Sequence, residues 1–60
     1  MNHVSTSSLV VGMHVRDVSD DIEFWISSIQ RLDYNLWTVT TTDGDIYNYD
    51  SWDKFEIIRD

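Results

Sequence analysis

Apolar and polar residues alternate along most of this chain, and short polar clusters interrupt the alternation. Met13, Val15 and Asp17 fall on one face and His14 and Arg16 on the other, which predicts a first strand after Gly12. Ser19, Asp20 and Asp21 form a polar turn cluster. Residues 24–32 admit two periods. Positions 22, 25, 29 and 32 would line a helical stripe. Read as a strand, Phe24, Ile26 and Ser28 face one way and Trp25, Ser27, Ile29 and Arg31 the other. Aromatic and β-branched residues favour strands, and Ser27-Ser28 is a poor helix centre, so the strand is preferred. After a turn at Asp33, Tyr34 and Asn35, residues 36–42 (LWTVTTT) are the clearest strand, and residues 45–49 return from a hairpin at Asp43-Gly44. Residues 50–54 predict one short helical turn, because Asp and Ser favour such starts. Residues 55–58 predict a closing strand. The polar residues 1–8 are expected to form a flexible arm, leaving 9–60 as a single domain.

The hairpin register decides which side chains are available. A two-residue turn at Asp43-Gly44 pairs Thr41 with Ile46 and leaves Tyr47 and Tyr49 outside. A three-residue loop, with Gly44 in the left-handed position of a bulge, pairs Val39 with Tyr47 and Trp37 with Tyr49. A slip of one residue flips a whole strand, so the two are exclusive. The second gathers four large side chains on one face and turns Ile46 outward, and it is preferred.

A core of that kind is needed. The chain has 60 residues, no Cys, three Trp, three Tyr and two Phe. A domain this small buries about 60% of its unfolded surface, and without disulfides or thiolate metal sites its aromatics must anchor it. Four basic residues stand against eleven acidic ones, for a formal net charge of −7. Nucleic-acid binders cluster cations, so neither direct nucleic-acid binding nor docking on an anionic membrane is expected. There is no signal-like or membrane-spanning run, and the chain reads as a complete, cytoplasmic protein, monomeric or weakly dimeric.

The segment Gly12-Met13-His14-Val15, the strand centres at residues 26–29 and 37–39, Asp43-Gly44 followed by Tyr49, and residues 52–58 with Phe55 in a Leu position together resemble an SH3-like barrel of the KOW or Tudor-like kind. Short stand-alone proteins of this shape occur in bacteria and their phages. The resemblance covers residues 9–59. It implies an all-β, five-stranded SH3-like small barrel with a short helical turn before the last strand. Glu23-Phe24 departs from it, since such barrels usually have Gly where the second strand starts. The family implies binding rather than catalysis, with no cofactor, and leaves the ligand open.

Catalytic and metal chemistry find little support. His3 and His14 are the imidazoles available, no nucleophile elbow is present, and the acidic segments at residues 17–23 and 43–45 do not match a calcium loop. A cage for a methylated cation would draw on Trp25, Tyr34, Tyr47 and Trp52 with Asp50 or Asp53, against the alternative that these aromatics fill the core. The acids Asp33, Asp43, Asp45, Asp50, Asp53, Glu56 and Asp60 fall mostly in turns and at strand edges. They serve solubility alone, or steer towards a basic protein partner. The expected function is a non-catalytic protein-binding module. Its expected partner-binding residues are Tyr34, Asp43, Asp45, Asp50, Trp52 and Asp53, giving aromatic anchors within an acidic rim. The alternative is a phage-type DNA mimic inhibiting a nucleic-acid-binding enzyme.

Overall fold

The computed structural model describes residues 3–59. It is all-β, with strands β1 (His3–Ser5), β2 (His14–Asp17), β3 (Ile22–Arg31), β4 (Leu36–Thr41), β5 (Ile46–Asp50) and β6 (Lys54–Ile57). They form one six-stranded antiparallel sheet in the order β1-β6-β2-β3-β4-β5. Among the described residues no ladder closes β5 back onto β1. The two edges approach at one end, where the Thr6 hydroxyl donates to the Asp50 carbonyl and the Thr6 N–H to the Asp53 carbonyl.

Three expectations are corrected. The strands number six rather than five, because His3–Ser5 adds to β6 instead of lying in a flexible arm. The arm's residues 1 and 2 lie outside the described part. No side-chain pattern in three residues announces a strand; β1 is held by its partner and by Thr6, which is fully buried. The helical turn expected at residues 50–54 is a β-turn: the Asp53 N–H reaches the Asp50 carbonyl, and the Asp53 carboxylate accepts the Asp50 N–H at 2.8 Å. The helical turn that the structure does hold is a 3₁₀ turn at Thr6–Ser8.

Strand β3 is continuous across the segment with two possible periods, and it carries a bulge. Ile26 faces Thr41 while Ser28 faces Thr40, so Ser27 is the extra residue. The bulge reverses the alternation. Trp25 points out and stacks on His14 at 4.4 Å, while Ile29, beyond the bulge, packs with Phe24 and Ile26 against the core. That core is Leu9, Val15, Phe24, Ile26, Val39, Tyr49 and Phe55, with Tyr47 half-buried at its margin.

At the hairpin the register is the bulged one: Val39 opposes Tyr47, Trp37 opposes Tyr49, and Ile46 is exposed. Gly44 has φ +90°, a conformation that disfavours a Cβ even though open space surrounds it. Gly44→Ala is therefore expected to cost about 1 kcal/mol of stability by backbone strain alone, measured by urea denaturation. An unchanged midpoint would contradict the assigned turn. Asp21, at φ +58°, takes the same region in the β2–β3 turn, where Arg16 Nη1 holds its carboxylate at 2.6 Å.

Candidate functional site

The β3–β4 turn and the β5–β6 turn emerge at the same end of the sheet, because β4 and β5 pair along their length and Leu36 opposes Asp50. Ser51 joins the two turns. Its N–H donates to the Asn35 carbonyl, its hydroxyl donates to the Tyr34 carbonyl at 3.1 Å, and the Trp37 indole N–H donates to that hydroxyl at 2.8 Å. Between the turns lies an open cleft of about 260 Å³ lined by Ser7, Arg31, Tyr34, Asn35, Trp37, Ser51 and Trp52. Tyr34 is 77% exposed and Trp52 60% exposed.

Arg31 is the charged residue in the lining of this cleft. The bulge that turns Ile29 inward brings Arg31, two residues on, opposite Trp37. The guanidinium carbon lies 5.4 Å from the Tyr34 ring centre and 5.6 Å from that of Trp37, within the range of cation–π attraction. Its Nε donates to the Asp33 carbonyl at 3.2 Å and its Nη2 to the Tyr34 carbonyl at 2.8 Å. Among the described residues no carboxylate pairs with it. Arg16 is used differently: Glu56 takes its Nε at 2.9 Å, and Asp21 takes its Nη1.

The structure divides the expected site. Tyr34, Asp50, Trp52 and Asp53 stand at the cleft end, with the Asp53 carboxylate occupied by the turn it caps. Asp43 and Asp45 sit in the β4–β5 turn at the other end of a six-residue strand, roughly 20 Å away at the usual rise per residue. A single rim containing all four acids is therefore not formed, because hairpin geometry separates a turn from its strand ends. The cage drawn from Trp25, Tyr34, Tyr47 and Trp52 is not assembled either. Trp25 stacks on His14 on the outer face, and Tyr47 packs 5.4 Å from Phe24. Where Tyr34 and Trp37 do converge, the cation between their faces is the chain's own Arg31.

Arg31, Asn35, Trp37 and Ser51 were not legible as site residues. Their role depends on two turns meeting across the sheet, and the one local hint was a basic residue three positions before Tyr34 in an acidic chain. Among the described residues no group of three or more His, Asp or Glu stands together as a metal site, and no helix is long and apolar enough to cross a membrane. No protein-family model matches the chain, and neither does any curated protein or solved structure.

Proposed function

We propose that this chain is a non-catalytic protein-binding module of the SH3-like small-barrel kind, and that it docks its partner at the cleft between the β3–β4 and β5–β6 turns. One observation carries the reading. Two large aromatic side chains, Tyr34 and Trp52, are left mostly exposed, yet both line one concavity whose backbone is fastened by Ser51. Exposed aromatics gathered on a pre-fastened surface are the composition of an interface anchor, since they bury much area while losing little side-chain freedom. The fold reading is supported by the strand order: β2 to β5 run as a meander, β6 returns beside β2, and the Thr6 contacts draw the edges together. The net charge of −7 favours a partner that is basic overall, by long-range steering. The acids are less suited to imitating a line of DNA phosphates. Asp21 and Glu56 pair with Arg16, while Asp17 and Asp53 accept backbone N–H groups in turns.

The test is affinity capture from lysate with the parent chain, Trp52→Ala and, as a control at the far end of the hairpin, Ile46→Ala. Trp52→Ala should weaken the captured complex by about 2 kcal/mol, roughly thirtyfold, with the fold intact because Trp52 is largely solvent-exposed. Ile46→Ala should leave binding unchanged. A partner retained equally by all three chains would place the interface elsewhere. One displaced by duplex DNA and held only at low salt would favour mimicry.

A further inference from the structure

We infer that the cleft receives the free C-terminal carboxylate of a partner polypeptide, an inference that rests on the cleft being the docking face. Arg31 supplies the charge. A guanidinium has five N–H groups; one on Nε and one on Nη2 are taken by the carbonyls of Asp33 and Tyr34, which leaves both on Nη1 and the second on Nη2. Those remaining groups form the end of the fork, the geometry that takes a carboxylate through two parallel bonds. The rings of Tyr34 and Trp37 and the two carbonyls already hold the plane, so little side-chain freedom is lost on binding. In a chain with eleven acidic residues, the absence of a carboxylate partner at this arginine, among the described residues, leaves its charge for a ligand.

Asn35 supplies the second half. It lines the same cleft, and its side-chain Oδ1 is buried with no hydrogen-bond partner. A buried acceptor without a donor is uncommon and calls for one. Once the Asn35 side chain turns its oxygen into the cleft, a ligand matching both groups carries a carboxylate and an N–H. The last residue of a polypeptide has that pairing in its terminal carboxylate and its own amide, with its side chain free to lie against Trp52. A partner that is basic overall and offers its chain end here satisfies both the long-range field and the contact at Arg31.

The experiment is a titration of the ¹⁵N-labelled full chain, followed by NMR at the Trp37 indole N–H and the Asn35 side-chain amide. The probes are N-acetyl-leucine, N-acetyl-leucinamide, N-acetyl-lysinamide, and N-acetyl-glutamic acid α-amide, whose carboxylate is on the side chain. N-acetyl-leucine should shift both signals saturably. Its amide should bind about tenfold more weakly, the worth of one charge-assisted contact. Arg31→Gln should remove that preference. Trp52→Ala, which leaves Arg31 untouched, should weaken both leucine probes alike. Equal binding of acid and amide, or preference for the lysine probe, would overturn the carboxylate assignment while leaving the cleft as the docking face. Equal binding of the glutamate probe would overturn the chain-end assignment. No shift with any probe, at concentrations on the order of tens of millimolar, would overturn the inference outright, and the Trp52→Ala capture would then decide the docking face separately.

Discussion

Phe55→Ala is expected to leave this protein largely unfolded at room temperature. Phe55 is fully buried and meets Tyr49 edge-on at 4.7 Å and Phe24 at 6.5 Å, and its strand pairs with both β1 and β2. Removing a buried Phe side chain costs about 3–5 kcal/mol, through lost transfer energy and the cavity left behind. A single core of this size rarely supplies more than about 3–5 kcal/mol in all, so one substitution consumes the margin. Phe55→Leu, which keeps most of the volume, should cost roughly 1–2 kcal/mol and stay folded. Urea denaturation followed by Trp fluorescence distinguishes the two. If the Ala variant keeps a cooperative transition within about 1 kcal/mol of the parent, the core is not centred on Phe55.

The second large effect concerns a charge inside that core. Asp17 is 3% exposed, and its Oδ1 accepts the N–H groups of Ser19 at 2.9 Å and Asp20 at 3.3 Å. The Tyr49 hydroxyl also senses this carboxylate, which favours keeping its proton. Asp17→Ala strands these donors, and the expected loss is about 2–4 kcal/mol, enough to unfold much of the population. Asp17→Asn keeps an acceptor of the same shape and should cost roughly 1 kcal/mol. The same arrangement sets an alkaline limit. Burial first, and the Asp17 carboxylate second, push the Tyr49 hydroxyl well above its ordinary value of 10.0. The folded state therefore holds this proton more tightly than the unfolded chain does. Its contribution is complete below the ordinary phenol value and is lost as pH rises above it. Stability should fall above about pH 10, and Tyr49→Phe should flatten that fall while lowering stability at neutral pH. A parent whose stability does not change from neutral pH to strongly alkaline pH would contradict the burial of this hydroxyl.

What could be read beforehand follows from how local each cause is. The hairpin register was legible because Gly44 meets a conformational demand within its own loop, and because one register alone gathers Val39, Trp37, Tyr47 and Tyr49. Strand β3 was legible as a strand from its residue types. The bulge at Ser27 was not, since strict alternation assigns Ile29 and Arg31 to the face of Trp25, and only pairing with β4 shows the reversal. Residues 50–53 misled because Asp and Ser begin helical turns and cap β-turns through the same side-chain acceptors. The site follows the same division. Tyr34 and Trp52 could be named as exposed aromatics from their turns. Arg31 could not, because its position depends on the bulge.

The Thr6 contacts have a thermodynamic corollary. Thr6 fastens the first strand to the β5–β6 turn, and Ser7, the next residue, is part of the cleft wall. Ordering of the N-terminal segment and occupancy of the cleft are thus linked equilibria. Whatever free energy a ligand contributes to keeping that strand in place is the free energy by which removing the strand would weaken the ligand. Because β1 is itself the coupled element, a fusion at the N-terminus would act directly on that linkage.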